Sequence, residues 1–301
     1  MNVDTLLRTP ITFRVAYISV LVLLVALVFV TVFECIRMPW KRKKPLSKKK
    51  MDDSIGKPRS SSGETLDPIT SPPPNTVFVF WTGGFDSTFR VLQAVIDEER
   101  MVQPFYLSGD IDNAPNKRVK RKNKDMELLA MQRVRGELCS TYPDACSRLL
   151  PTIIVEDIPI HPQTKRWMRT LANQRIVRRP TCQYGSLGQF SSYMKIPIEL
   201  GIVQDGHSNA GIYTGLKDKV HGQGRLCKIK QSALEKHPEF ILFRLLRFPL
   251  MHIDKSDMWR IAKANGYGDL MQLTWSCWYP TKDGKPCNKC LMCRERILKT
   301  V

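Results

Sequence analysis

Four cysteines near the C-terminus constrain the fold of this chain more than any other feature. They are spaced Cys-x9-Cys-x2-Cys-x2-Cys and comprise Cys277, Cys287, Cys290 and Cys293. Four thiolates so close together are typical of one tetrahedral Zn²⁺ site, which leaves no coordination position open for water. We therefore expect a structural zinc that ties the C-terminal loop onto a folded domain. The alternative interpretations are a redox pair such as Cys290 and Cys293, or four unrelated thiols.

Composition indicates a folded protein with an unevenly distributed positive charge. The 301 residues are 43% hydrophobic and carry a formal charge of +19. Residues 1–60 alone hold 12 Lys and Arg against 4 Asp and Glu. A basic cluster at 117–124 could contact nucleic acid, but we interpret it as a solvated loop before a helix. Nucleic-acid binding is therefore not the favoured interpretation.

An apolar segment near the N-terminus predicts a membrane anchor. Residues 15–33 are uncharged and nearly all aliphatic or aromatic, which is long enough to span a bilayer as a helix. Two Arg precede this segment and eight Lys or Arg follow it. By the positive-inside rule, the N-terminus lies outside and the following domain lies in the cytoplasm. A reducing cytosol favours cysteines as metal ligands or buried thiols over disulfides. We therefore interpret Cys139, Cys146 and Cys227 as ordinary residues. A cleaved signal peptide is the alternative.

The sequence then divides into four parts. We expect a short tail at 1–14, a transmembrane anchor at 15–36, a basic, Pro- and Ser-rich flexible linker at 37–75, and a folded domain at 76–301 whose zinc site occupies 277–293.

The folded domain shows alternating strand and helix patterns. The apolar run 77–81 predicts a strand that is buried on both faces. Further strands are expected at 103–107, 152–158 and 198–203, helices at 87–96, 125–138 and 185–194, and a loop at 215–224. A later helix begins at its cap, Asp254, and ends at Asn265-Gly266. Such alternation predicts an α/β domain with a parallel sheet and crossover helices.

A glycine-rich turn joins the first strand to the first helix. Gly83 and Gly84 allow close approach of an anion, and the free N–H groups and dipole at a helix start favour phosphate. Thr82, Ser87 and Thr88 offer hydroxyls, while Asp86 is expected to hold Mg²⁺ or to shape the loop. A tight turn with a helix cap is the alternative. Neither the Walker pattern nor the dinucleotide glycine pattern is present.

This segment resembles a known family signature. The strand followed by Thr82-Gly83-Gly84-Phe85-Asp86-Ser87-Thr88 is similar to the Ser-Gly-Gly-x-Asp-Ser motif of the PP-loop ATP pyrophosphatases, with Thr82 in place of Ser. The C-terminal part resembles one branch, the 7-cyano-7-deazaguanine synthases of queuosine-precursor biosynthesis. That resemblance is carried by Phe248-Pro249-Leu250, Lys255, Asp257, Gly266, Thr274-Trp275-Ser276-Cys277, the cysteine cluster and Arg294.

The resemblance implies a fold, cofactors and a reaction. The fold would be adenine-nucleotide-hydrolase-like, with ATP, Mg²⁺ and Zn²⁺ as cofactors. The reaction would be an ATP-dependent synthesis of the C–N ligase type, in which a 7-carboxy-7-deazaguanine-like carboxylate is adenylated and converted by ammonia to an amide and then a nitrile. Asp86 would be catalytic. Nucleotide would be held by Thr82, Gly83, Gly84, Phe85, Asp86, Ser87, Thr88 and Asp110, the last near the end of the second strand.

Two other classes of function stay open from the residues alone. One is a PP-loop enzyme that acts on a different carboxylate, an amide or a tRNA base. The other is a non-catalytic, membrane-tethered protein that binds nucleotide or nucleic acid. The sequence does not specify an oligomeric state.

Overall fold

The computed structural model describes residues 56–108, 113–114, 117–118, 122–180, 183–204 and 211–294. The predicted tail and anchor, and the linker as far as residue 55, lie outside the described residues. Among the described residues, no helix combines the length and apolarity needed to cross a membrane.

The central strand, β2 (Thr76–Phe80), is buried on both faces. Val77 and Val79 face one hydrophobic cluster and continue into Trp81, while Phe78 and Phe80 face the other. Because successive side chains of a strand point to opposite faces, a continuously apolar run can only be buried between two layers. The strand predicted at 77–81 is confirmed.

Six strands of the described chain form one sheet, in the spatial order β1 (Arg59–Ser60), β6 (Ile153–Asp157), β3 (Met101–Leu107), β2, β7 (Ile198–Glu199) and β10 (Leu246–Arg247). All neighbouring pairs are parallel except β1 with β6. The predicted α/β domain with a mainly parallel sheet is confirmed, although β7 is shorter than the strand expected at 198–203.

Helices cover both faces of this sheet. The helix bounds are α1 (Phe85–Leu92), α2 (Lys124–Thr141), α3 (Pro143–Arg148), α4 (Pro162–Asn173), α5 (Tyr184–Met194), α6 (Ile212–Leu216), α7 (Gln231–Lys236), α8 (Lys255–Ala264) and α9 (Gly268–Gln272). A π-helical turn, Gln93–Asp97, extends α1, and 3₁₀ turns occupy Gly224–Leu226 and Pro238–Phe243. Helices α1, α2, α8 and α9 pack on one face, and α4 and α5 pack on the other.

The helix predicted after Asp254 forms as its capping signals indicate. The backbone N–H of Asp257 donates to Asp254 Oδ1 over 2.8 Å, which satisfies one of the free donors at the start of α8. The helix ends before Gly266, which adopts a φ of +83°.

Two short antiparallel hairpins lie where loops were expected. β4 (Asn113–Ala114) pairs with β5 (Lys117–Arg118), within the basic region, and β8 (Val220–His221) pairs with β9 (Lys228–Ile229). The loop predicted at 215–224 therefore contains one strand of the second hairpin.

The predicted flexible linker does not extend to residue 75. β1 pairs with the sheet-edge strand β6, and Leu66 and Ile69 pack against the core. Tyr193 Oη also donates to the carbonyl oxygen of Leu66 over 2.9 Å. These few contacts order a segment whose composition is otherwise typical of a tether. The folded domain thus begins well before Thr76.

The structure also corrects the expectation that Cys139 and Cys146 are ordinary thiols. They form a disulfide, with Cα atoms 4.8 Å apart. The reason is local: α2 ends and α3 begins on either side of Tyr142, and this sharp turn brings the two side chains together.

A buried ion pair fixes α1 to the sheet. Arg90 is fully buried and donates to Glu199 in β7, with Nε–Oε2 at 2.5 Å, and to Glu98 through two bonds of 2.6 and 3.0 Å. Burial opposes the charge of Arg90, but the two carboxylates outweigh this effect and raise the pKa of Arg90 above its ordinary value. The guanidinium is therefore permanently charged and joins α1 to β7.

Replacing Arg90 by Met should strongly destabilise the protein. The change leaves Glu199 buried without its partner, which costs about 3–5 kcal/mol of unfolding free energy. Urea denaturation would measure the loss. Arg260→Met is the matched control, because Arg260 forms only an exposed pair with Asp257, and it should change stability far less. An equal effect of the two substitutions would contradict this account.

Candidate functional site

The glycine loop lies where open α/β sheets bind ligands. β3 and β6 extend the sheet to one side of β2, whereas β7 and β10 extend it to the other. The chain order therefore reverses beside β2, and ligands of such sheets bind beyond the strand ends at this position. The loop leaves β2 at its carboxyl end and leads directly into α1.

The loop requires glycine for a steric reason. Gly83 has a φ of +67°, and a Cβ atom added there would lie 2.6 Å from the carbonyl oxygen of Glu127 and 3.2 Å from Cβ of Ala130. Helix α2 thus packs directly on the loop backbone. Gly84 is the N-cap of α1 and has no side chain to close the helix end. The start of α1 therefore has no side-chain cap, and a helix start of this kind is a favourable place for an anion.

Two of the three predicted hydroxyls line this loop. Ser87 Oγ accepts from the backbone N–H of Thr82 over 3.2 Å and lies 3.2 Å from Thr82 Oγ1. The third behaves differently: Thr88 is fully buried and its hydroxyl accepts from Trp81 Nε1 over 3.0 Å. The structure places Thr88 in the core, where its side chain stabilises the strand–helix junction and does not reach the loop opening.

The other predicted nucleotide residues have distinct placements. Asp86 lies in the first turn of α1, partly buried. A Cβ atom added to Gly201, just after β7, would lie 3.3 Å from the Asp86 carbonyl carbon, so the two loops are in close contact. The Phe85 ring packs edge-to-face on Trp259. Asp110 lies outside the described residues.

Sequence reasoning did not identify a buried polar group behind the loop. Glu127, on the α2 turn that contacts Gly83, accepts from Tyr106 Oη over 2.7 Å and from the Asn123 amide over 2.9 Å. In a sequence, a glutamate in the first turn of a helix is ordinarily explained by its favourable interaction with the helix dipole. Its partners come from tertiary contacts, so no local signal indicated it.

One polar residue from the middle of the chain proves structural. Gln189, in α5, accepts from the His161 N–H over 2.9 Å and from Thr164 Oγ1 over 2.8 Å. It also donates to the carbonyl of Pro159. The hydrogen bonds of this buried amide join α5 to α4 and to the loop that precedes α4.

The structure brings the four predicted zinc ligands together. The Sγ atoms of Cys277, Cys287, Cys290 and Cys293 all lie within 4.8 Å of one another. Cys293 Sγ lies 3.5 Å from Cys290 Sγ and 3.9 Å from Cys287 Sγ. In a tetrahedral site with Zn–S bonds of about 2.3 Å, the sulfur atoms are about 3.8 Å apart. The donor set and its spread therefore fit Zn²⁺.

Backbone N–H groups and burial change the pKa values of the clustered thiols in opposite directions. The N–H of Cys287 points to Cys277 Sγ over 3.3 Å, and Asn288 adopts a φ of +54° in the turn between the second and third cysteines. The N–H groups of Lys289 and Cys290 lower the pKa of Cys287 to about 6. Burial instead raises the pKa of Cys293 to about 12. A bound cation would supply the positive charge that a thiolate at Cys293 requires.

A hydrogen bond connects the segment just before the cysteine cluster to the glycine loop. The backbone N–H of Trp275 donates to the carbonyl oxygen of Gly83 over 2.8 Å. The Trp275 indole N–H donates to the carbonyl of Cys277 over 2.8 Å, and Thr274 is buried with its hydroxyl bonded to Met271. The two features that stood out in the sequence are thus adjacent in the fold.

Comparison with protein families supports the C-terminal part of this interpretation. The family model of the queuosine biosynthesis protein QueC matches residues 241–298. This stretch covers β10, α8, α9 and the four cysteines, whereas the glycine loop lies outside it. No curated protein matched the chain. The C-terminal region is therefore similar to a QueC-like protein, which supports a function of the PP-loop, queuosine-biosynthesis type.

The cysteine cluster predicts a zinc content of one ion per chain. Cys290→Ser should abolish tight zinc binding, since a three-thiolate site loses a charged ligand and admits water. Zinc can be measured by colorimetric release with a thiol-blocking reagent. Cys227→Ala is the control, because Cys227 is a fully buried core residue away from the cluster. Full zinc content in the Cys290 variant would show that the cluster is not the metal site.

The steric account of the loop predicts opposite effects at two glycines. Gly83→Ala places a methyl group against Glu127 at a positive φ and should cost at least about 1 kcal/mol of unfolding free energy, with loss of nucleotide binding. Gly136→Ala, on the exposed side of α2, meets no atom within 4 Å. It should stabilise the protein by about 0.5–1 kcal/mol. Thermal unfolding and nucleotide titration would test both predictions. Unchanged stability and nucleotide binding in the Gly83→Ala variant would refute the packing argument.

Proposed function

We propose that the protein is an ATP-dependent adenylating enzyme similar to 7-cyano-7-deazaguanine synthase. The observation that carries this proposal is the hydrogen bond from Trp275 to Gly83. It joins the segment that matches the QueC family to a glycine loop with the geometry of an anion site. The family match alone concerns a short region, and the loop alone could serve many nucleotides. Their contact favours one site built from both.

The proposed chemistry needs two activations by ATP. A substrate carboxylate oxygen attacks the α-phosphorus of ATP, which forms an acyl adenylate and releases pyrophosphate. Ammonia then adds to the acyl carbon, and AMP leaves with the oxygen, giving an amide. Adenylation of the amide oxygen and loss of AMP and a proton give the nitrile. In each activation, adenylation turns an oxygen that is a poor leaving group into part of AMP, which is a good one.

The chain contributes position and charge stabilisation to these steps. Backbone N–H groups of residues 83–87 would hold the departing pyrophosphate at the start of α1. Thr82 and Ser87 would add hydroxyl donors from inside the loop. Bound Mg²⁺ would neutralise phosphate charge, with Asp86, in the first turn of α1, as its candidate ligand. The four cysteines, when they hold zinc, have no open coordination position and would act structurally.

The predicted membrane anchor would tether this activity to the cytoplasmic side of a bilayer. That placement depends on the apolar segment at 15–33 and its flanking charges, and it stays a prediction.

Product analysis tests the proposed substrate. The purified protein would be incubated with ATP, Mg²⁺, ammonium and 7-carboxy-7-deazaguanine, and the purine products followed by mass spectrometry. The proposal expects the nitrile, with two AMP formed for each nitrile. AMP release only with another carboxylate, amide or tRNA acceptor would replace the substrate but keep the reaction class. No AMP release with any acceptor would overturn the proposal.

Asp86→Ala should lower turnover by at least about 100-fold while folding and zinc content stay unchanged. The loss is expected because the phosphate charge would no longer be balanced beside the loop. Steady-state AMP release, unfolding and zinc content would be measured together. Asp144→Ala provides the control, since Asp144 also occupies the first turn of a helix, α3, and is exposed. A fully active Asp86 variant would disprove the assignment of the loop.

A further inference from the structure

The peptide between Gly83 and Gly84 is the part of the loop that most needs an external constraint. Both flanking residues are glycines, so no Cβ atom of its own residues limits the orientation of this peptide. A trans peptide is planar, and its C=O and N–H point in opposite directions. Whatever fixes the Gly83 carbonyl therefore also fixes the direction of the Gly84 N–H, one of the donors at the start of α1.

Trp275 supplies that constraint from the opposite end of the chain. Its backbone N–H donates to the Gly83 carbonyl over 2.8 Å. Its own carbonyl oxygen lies 3.6 Å from the position that a Cβ atom of Gly84 would take. The Gly84 N–H must then point away from Trp275. Trp275 thus determines which side of the loop presents the donor.

The position of Trp275 is itself set from two sides. On one side, Thr274 is buried and bonded to Met271 in the core. On the other, the indole of Trp275 bonds to the carbonyl of Cys277, which is buried and is the first of the four clustered cysteines. Only one residue separates Trp275 from this metal-ligand position. Loss of the metal would loosen the contact of Trp275 with Cys277 but leave the contact of Thr274 with Met271 in place.

We propose that metal binding at the cysteine cluster and nucleotide binding at the glycine loop strengthen each other, with Trp275 as the positioning residue between them. This inference rests on the proposed function, because it takes the loop ligand to be ATP. A metal held by Cys277 fixes Trp275, Trp275 orients the Gly83–Gly84 peptide, and the oriented N–H binds phosphate. By thermodynamic linkage, bound nucleotide must tighten the metal by the same factor.

The direct test measures both affinities in the unaltered full-length chain. Binding of the non-hydrolysable analogue α,β-methylene-ATP would be titrated with zinc-loaded and zinc-depleted protein. Zinc affinity would be measured by chelator competition with and without the analogue. We expect each ligand to tighten the other by a common factor of about 5–150-fold. Equal analogue affinity with and without zinc would overturn the coupling and leave the proposed function intact. Absence of analogue binding to zinc-loaded protein would overturn both.

Two substitutions assign the coupling to the backbone bond. Trp275→Pro removes the N–H that Gly83 accepts, whereas Trp275→Ala keeps it and removes only the indole. With zinc content retained, the Pro variant should bind the analogue as weakly as zinc-depleted protein, and the Ala variant should bind it more tightly than the Pro variant. Equal analogue affinity of the Pro variant and the unaltered protein would refute the role of Trp275. Should the Pro variant fail to fold, the reciprocal measurement on the unaltered chain still decides the proposal.

Discussion

The buried guanidinium of Arg90 is the constraint on which the candidate site depends. It lies between Glu199 in β7 and Glu98 beyond α1, with no solvent exposure of its own. A charge in this position requires its partners, since an unpaired buried ion costs several kcal/mol. The pair therefore holds α1 against the strand at which the chain order reverses. With α1 held there, Gly201 meets the Asp86 backbone and the loop end of α1 is fixed in place.

The site combines segments from both ends of the folded domain, and they have different tasks. The glycine loop offers backbone donors, hydroxyls and a carboxylate, which are the groups that handle phosphate charge. The cysteine cluster offers four thiols, which as thiolates would saturate a zinc ion and leave no position for substrate. The proposed catalysis therefore takes place at the loop and not at the cluster. The cluster matters because it places Trp275 beside Gly83.

Features determined by local pattern were predictable from the sequence. β2 could be predicted because a short, continuous run of β-forming apolar residues is typical of a buried strand. The start of α8 could be predicted from its cap, Asp254. Features determined by tertiary contact were not. Two side chains, Leu66 and Ile69, order a segment that is polar on average. Within the loop motif itself, the hydroxyl of Thr88 is taken by Trp81, because α1 turns that face toward the core.

We propose that ATP bound at the glycine loop is cleaved between its α- and β-phosphates. Phosphorus NMR of a reaction containing the protein, ATP, Mg²⁺, ammonium and 7-carboxy-7-deazaguanine would identify the cleavage products directly. This account predicts AMP and pyrophosphate in equal amounts, formed only when the acceptor is present. Formation of ADP and inorganic phosphate would contradict it, because those products require attack at the terminal phosphate.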